Sequence, residues 1–267
     1  MRYEIALTAA VLALASPAPL LASSSDWFET QGGRVRLVTT GKPDAEGRLG
    51  GILEVDLQPG WKTYWRDPGD AGVPPSIDIA ASPNIASVEI SFPPPQRHDD
   101  GFSKWAGYDR PVAFPVTFTL TSPDVPTIID VEIFLGVCET ICIPVKTRLD
   151  VDPASDPDNP GDAAAVAVAL AALPRPERPD FGVEVVGGDD EKLVLEAIFP
   201  GDPASAEFFI AGEQGYAFGA PERAEQDGKT LFTVDVLGSP VNAPTTGGLR
   251  YTLVTNAGSV SGLIPYL

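Results

Sequence analysis

The sequence predicts an all-β protein, a β-sandwich followed by a second, smaller β domain. Several short runs alternate between polar and apolar residues, which places one face of a strand on a core and the other toward water. Turn-forming residues separate these runs, and the 267-residue chain contains 26 Gly and 28 Pro. One stretch, the Ala-rich segment 163–173, has the composition of a short helix. Many short strands with turns between them are typical of sandwich folds.

The alternating runs fall into two groups along the chain. The first group predicts the sandwich, over about Trp27 to Asp152, and the second predicts the smaller domain from Asp180 onward. The predicted strands of the first group are 34–38, 51–57, 112–120, 128–135 and 145–151, and those of the second are 183–186, 193–198, 206–210, 231–236 and 249–254.

We therefore expect four regions: a signal peptide at 1–22, the sandwich at 23–152, a linker at 153–179 and the second β domain at 180–267. The linker is rich in Asp and Pro. Within it, Asp162 is expected to cap the helix and Pro174 to stop it. The run from Pro174 to Pro179 is expected to be a stiff connector. The second domain has no Cys or His, so we expect a scaffold or a docking surface there.

The first residues have the pattern of an export signal. Arg2 gives a positive start, an apolar run follows from Ile5 to Ala15, and small residues near Ala22 suit cleavage. An ordinary N-terminal helix is the alternative. No later stretch reaches the roughly 18 apolar residues that a membrane span requires. We expect a soluble exported protein, without a membrane span after signal removal, in a compartment where disulfides persist.

The charge of the chain excludes one class of partner. The formal net charge is -19. Phosphate binding needs a basic face, so we expect no nucleic-acid partner.

The two cysteines, Cys138 and Cys142, are the clearest chemical signal. They lie between two predicted strands, and a hairpin with Glu139, Thr140 and Ile141 in its loop would make them face each other. Cross-strand Cα separations of about 4.5–5.5 Å suit a disulfide, whereas an uninterrupted strand would hold the pair about 13 Å apart. Disulfide formation therefore predicts a turn here.

Three uses of the pair stay open on chemistry alone. A disulfide closing a five-residue loop stabilises a fold by roughly 2 kcal/mol, so a structural role is modest. Reversible thiol–disulfide exchange with a partner protein is the second use. A soft metal ion is the third, although His98 and Met1 are the chain's only His and Met, and we expect no metal and no cofactor.

Three motifs in order resemble one known family. The segments 60–72 (GWKTYWRDPGDAG), 92–95 with 107–112 (FPPP, GYDRPV) and 137–144 (VCETICIP) are similar to the N-terminal periplasmic domain of the DsbD and ScsB thiol:disulfide interchange proteins. The resemblance covers about Trp27 to Asp152, roughly half of the chain.

The resemblance implies an immunoglobulin-like sandwich, a periplasmic location and protein-disulfide reductase-like activity. The implied activity is a thiol relay, in which electrons from a membrane partner reduce the disulfide and pass to soluble oxidised proteins. Carried over by position, Cys142 forms the mixed disulfide and Cys138 resolves it. The family's members continue into membrane and thioredoxin-like domains, so we expect a membrane thiol reductase on a separate chain to supply the electrons.

The family also covers its cysteine pair with a cap loop. The matching region here is 98–108, in which Phe102, Trp105 or Tyr108 could serve as the lid, and Tyr64 and Trp65 lie where the family places aromatic residues beside the pair. The alternative is that these rings only anchor loops in the core. We assign no role to His98. The competing function for the whole protein is an immunoglobulin-like binding or adaptor module with a purely structural disulfide.

Overall fold

The computed structural model describes residues 23–69, 72–99, 101, 103–212, 215–242 and 246–266. The predicted signal peptide, 1–22, lies outside the described residues, and so does Phe102.

The first part of the chain folds into eleven strands within the described residues. The five predicted here are all present, and most are longer than predicted. The strands are β1 (Phe28–Thr30), β2 (Gly33–Thr39), β3 (Arg48–Leu57), β4 (Thr63–Gly69), β5 (Ser76–Asp78), β6 (Ile85–Ile90), β7 (Gln96–Asp99), β8 (Lys104–Tyr108), β9 (Val112–Leu120), β10 (Ile129–Cys138) and β11 (Cys142–Val151).

These strands form three antiparallel sheets. A five-stranded sheet has the order β1-β2-β3-β9-β6, and a three-stranded sheet has the order β11-β10-β5. Their inward-facing residues share one core, to which Leu53 and Phe114 contribute from one sheet and Val131 and Leu135 from the other. This is the predicted immunoglobulin-like sandwich. The third sheet, β4-β8-β7, is called the cap sheet below.

One helix, α1 (Pro160–Ala171), follows the sandwich. The predicted cap was wrong: Asn159 caps the helix, and its side chain accepts from the backbone N–H of Gly161 at 2.9 Å and of Asp162 at 3.1 Å. Asp162 instead lies in the first turn and accepts from the hydroxyl of Ser23 at 2.6 Å. Pro160 fits the first turn, where its missing N–H costs nothing, so the helix begins three residues earlier than expected.

The second part of the chain forms another β domain with its own core. All five strands predicted here are present. Its strands are β12 (Arg175–Pro176), β13 (Gly182–Gly188), β14 (Lys192–Ile198), β15 (Glu207–Ile210), β16 (Ala217–Phe218), β17 (Glu222–Gln226), β18 (Lys229–Gly238), β19 (Leu249–Thr255) and β20 (Gly258–Ile264), with a short 3₁₀ helix at Pro203–Ser205.

Two sheets build this second domain. One has the order β12-β20-β19-β15, and the other has the order β13-β14-β18-β16 with β17 also paired to β18. The residues between Pro174 and Pro179, expected to be a connector, add β12 to an edge of the first sheet, parallel to β20. An edge is where a strand tolerates proline. Phe209 and Ala211, from β15 and the residue after it, pack into the core of the sandwich instead of their own.

Candidate functional site

The cysteine pair closes a long hairpin. Strands β10 and β11 pair in an unbroken register of ten residue pairs, of which Cys138 with Cys142 is the last. Glu139, Thr140 and Ile141 form the loop, as the sequence predicts. The two cysteines are joined in a disulfide with their Cα atoms 4.1 Å apart. The register of the ladder therefore places the two cysteines opposite each other.

The two sulfurs have very different surroundings. Cys138 is 1% exposed, whereas Cys142 is an exposed residue and its neighbour Ile141 is 67% exposed. An attacking thiolate approaches one sulfur and expels the other. Because Cys138 is buried and Cys142 is exposed, Cys142 is the more accessible of the two.

The backbone of β10 is tied to the start of β4 at Cys138. The N–H of Lys62 donates to the carbonyl of Cys138 at 2.8 Å, and the N–H of Cys138 donates to the carbonyl of Lys62 at 2.9 Å. One residue further, the hydroxyl of Thr63 donates to the carbonyl of Gly136 at 2.9 Å. These bonds fix the buried sulfur and place the next residue of β4, Tyr64, against the disulfide.

Tyr64 contacts the sulfur of Cys142 from the interior of the protein. Its ring is buried, and its Oη lies 3.4 Å from Sγ of Cys142. A disulfide sulfur carries no hydrogen, so the tyrosine hydroxyl is the donor. Two glycines leave room for the ring: a Cβ on Gly136 would lie 3.3 Å from the Tyr64 ring, and one on Gly72 would lie 2.5 Å from it. A side chain at position 72 would therefore overlap the Tyr64 ring, and one at position 136 would crowd it.

Trp105, from β8, completes the covered side of the pair. Its ring meets that of Tyr64 edge to face at a centroid separation of 5.9 Å, and the two rings form one buried cluster with Cys138. His98 stacks on Trp105 with ring centroids 3.9 Å apart. The ammonium of Lys62 lies 4.5 Å from the centre of the same indole, a distance typical of a cation–π contact.

The surroundings of His98 favour its neutral form. Burial lowers the pKa of His98, and the nearby charge of Lys62 adds to that effect. The carboxylates of Asp109 and Glu207 oppose it but do not outweigh burial. A neutral imidazole is suited to lie flat on an indole.

The structure places the other predicted aromatic residues elsewhere. Tyr108 packs in the sandwich core on Phe114, at a centroid separation of 5.3 Å, and its hydroxyl donates to the carbonyl of Pro93. Burial raises the pKa of Tyr108 well above its ordinary value. Trp65 points away from the cysteines and meets Phe209 at 5.8 Å. Of the predicted shielding residues, Tyr64 and Trp105 are the two that the structure brings to the disulfide within its described part.

Sequence reasoning missed two residues that line the site. Lys62 lies inside the motif at 60–72, and the sequence predicts no role for it or for His98. His98 and Trp105 pair opposite each other on the β7–β8 hairpin. The Asp-Gly pair at 100–101 in the sequence is a usable signal for a turn between them. The cation–π contact of Lys62 has no comparable signal, because it depends on how β4 meets β8.

Two further features concern the described residues as a whole. No three or more His, Cys, Asp or Glu side chains among them come together in a group that could hold a metal ion. No helix in this part of the chain is both long and apolar enough to cross a membrane.

Comparison with known proteins identifies the domain that carries the disulfide. Residues 40–153 match the family model described as "Thiol:disulfide interchange protein DsbD, N-terminal". Comparison with curated protein sequences finds no match.

A solved structure matches both β domains together. The N-terminal periplasmic domain of ScsB from Proteus mirabilis superposes with a TM-score of 0.73 over 92% of this chain and 100% of that chain, at 24% sequence identity. The fold of the chain is therefore that of the ScsB domain. Residues 40–153, including Cys138 and Cys142, are thus similar to the N-terminal domain of DsbD thiol:disulfide interchange proteins.

Proposed function

We propose that this protein is a periplasmic thiol–disulfide interchange protein. Its Cys138–Cys142 pair carries electrons from a membrane thiol reductase to soluble oxidised proteins. The observation that carries the proposal is the asymmetry of the disulfide: within a domain similar to that of this family, an exposed Cys142 is bonded to a buried Cys138.

The relay has a loading step and a delivery step. In loading, a thiolate of the membrane partner attacks Cys142 and expels the Cys138 thiolate, which takes up a proton. The partner's second thiol then attacks the mixed disulfide, frees Cys142 and leaves the partner oxidised. This protein gains two electrons and two protons.

Delivery reverses the roles. The Cys142 thiolate attacks the disulfide of an oxidised protein, so that a mixed disulfide forms and one partner sulfur leaves as a thiolate. Cys138 then attacks Cys142, which releases the second partner sulfur and restores the Cys138–Cys142 bond. The partner gains two electrons and two protons. No cofactor is required, because the sulfur atoms hold the electrons.

The aromatic residues control the reactivity of the pair. Tyr64 and Trp105 cover Cys138, whereas Cys142 is exposed. After reduction, the Tyr64 hydroxyl is placed to donate to the Cys142 thiolate, and a hydrogen bond to the charged form lowers a thiol pKa. Phe102, which lies outside the described residues, remains a predicted part of this cover.

We assign the exchange domain to residues 23–152, the linker to 153–179 and the second β domain to 180–267. The export signal predicted at 1–22 supports a periplasmic location. So does the description of the similar ScsB domain as periplasmic.

A trapping experiment tests the proposal. The Cys138→Ala variant keeps Cys142 but cannot resolve a mixed disulfide, so incubation with a periplasmic extract should accumulate protein adducts that dithiothreitol releases. Cys142→Ala is the matched control and should form almost none, because its remaining thiol is buried. Equal adducts in both variants would contradict the assigned roles. Partner binding that survives removal of both cysteines would favour the adaptor function.

A further inference from the structure

The two faces of the cap sheet contact different parts of the protein. Side chains alternate along its strands, so neighbours in sequence point in opposite directions. On β4, Tyr64 contacts the disulfide while Trp65 points away from it, and on β8 Trp105 and Ala106 divide in the same way. One face therefore covers the cysteines, and the other is turned toward the second β domain.

The second β domain contacts this far face through β15 and the residues that follow it. The guanidinium of Arg97, on β7, donates to the carbonyl of Phe208 at 2.9 Å and lies 4.7 Å from the centre of the Phe209 ring. The carboxylate of Asp67, on β4, accepts from the backbone N–H of Gly212 at 2.6 Å. Both outer strands of the cap sheet are thus fastened to the second domain.

Of the residues that contact the second domain, Arg97 is linked most directly to the sulfurs, through a series of packed side chains. Its neighbour His98 stacks on Trp105, Trp105 packs on Tyr64, and the Tyr64 hydroxyl touches Cys142. Burial lowers the pKa of Arg97, while Glu207 and Asp67 oppose that shift. Keeping a cation in such a place is costly unless its bonds are satisfied, so the Phe208 carbonyl fixes where β7 can lie.

We propose that the second β domain braces the cap sheet from behind, and that Arg97 is the positioning residue that transmits this support to the Cys138–Cys142 disulfide. The second domain carries no cysteine of its own, and the brace gives it a role in exchange. This inference rests on the proposed function, since support of the cap sheet affects exchange only where a partner protein attacks the disulfide.

The rate at which dithiothreitol reduces the disulfide tests the brace. Arg97→Met keeps an apolar stem but removes the donor to Phe208, and we expect the rate to rise about fivefold, as the loss of one hydrogen bond allows. Arg223→Met is the matched control, because Arg223 bonds the carbonyls of Pro203 and Ala204 within the second domain. Its rate should equal that of the wild type.

A double-mutant cycle separates positioning from general loosening. In a Trp105→Phe background, Arg97→Met should have almost no further effect, because the route to the sulfurs is already weakened. Rate effects that simply multiply would contradict the proposal, and so would an equal increase in Arg223→Met.

A second variant protects the test against misfolding. Asp67→Ala removes the other fastening and should raise the reduction rate in the same direction as Arg97→Met. Unchanged rates in both variants would overturn the brace. Since dithiothreitol needs no protein partner, failure of the trapping experiment with a positive result here would reject the relay and leave the brace standing.

Discussion

Two hairpins meet at the disulfide, and they are held together in different ways. The cysteine hairpin, β10–β11, has ten residue pairs and places every second residue of β10 from Ile129 to Val137 in the core. The cap hairpin, β7–β8, has four pairs and depends on ring contacts on one side and on the second domain on the other. The sulfur geometry is therefore robust, while access to it rests on packing that can be changed separately.

The largest effect on stability is expected for Trp105, the main buried side chain of the cap hairpin. Trp105→Ala should lower the free energy of unfolding by about 3 kcal/mol or more, because a large buried side chain leaves a cavity. It should also speed reduction of the disulfide. Denaturant unfolding measures the loss. Trp27→Ala is the control, since Trp27 is half-buried beside Arg34 and Arg36 and should cost less. A loss below about 1 kcal/mol for Trp105→Ala would contradict this view of the cap.

Removing the disulfide should cost less than removing Trp105. Replacing Cys138 and Cys142 with Ala should lower the free energy of unfolding by about 2 kcal/mol, the loop-entropy value for five residues. The ten-pair ladder should keep the fold, which far-UV circular dichroism and denaturant unfolding would show. A loss above about 4 kcal/mol would mark the bond as a structural staple.

Tyr64→Phe should change reactivity more than stability. The ring remains, but the hydroxyl near Cys142 is lost, so the pKa of the Cys142 thiol should rise. Alkylation of the reduced protein by iodoacetamide at pH 7 should slow roughly three- to tenfold, as the loss of a hydrogen bond to a charged group allows. Equal alkylation rates in variant and wild type would show that the hydroxyl does not stabilise the thiolate.

The smallest effect concerns His98 and pH. Burial lowers the pKa of His98 in the fold, so the unfolded chain takes up the proton first as pH falls. The wild type should therefore lose stability relative to His98→Phe, which keeps an aromatic stack, between pH 7.5 and pH 5.5, around the ordinary histidine pKa of about 6.5. Denaturant unfolding at both values measures the difference. A difference that does not change with pH would contradict a neutral, stacked His98.

The sequence predicted the cysteine hairpin because its signals are local. The alternation from Ile128 to Leu135 and from Val145 to Val151 fixes which faces are buried, and the three residues between Cys138 and Cys142 allow one tight turn. The same two-residue period predicted all ten of the strands proposed. The family motifs then directed attention to Tyr64 and Trp105.

The cap sheet escaped prediction for a physical reason. Its strands are short, and neither of their faces is turned to water in a regular pattern: Tyr64 and Trp65 are both buried, one on the disulfide and one on Phe209. Periodicity cannot detect a strand that is covered on both sides. The role of Arg97 is further out of reach, since its partner, Phe208, lies 111 positions along the chain.

The reduction potential of the Cys138–Cys142 pair tests the central claim most directly. The purified protein would be equilibrated with thioredoxin or glutathione redox buffers, and the oxidised fraction would be read by thiol labelling. We predict a potential above about -300 mV, in the range of disulfides that exchange with protein partners. A bond that stays oxidised well below about -300 mV would be structural and would contradict the account.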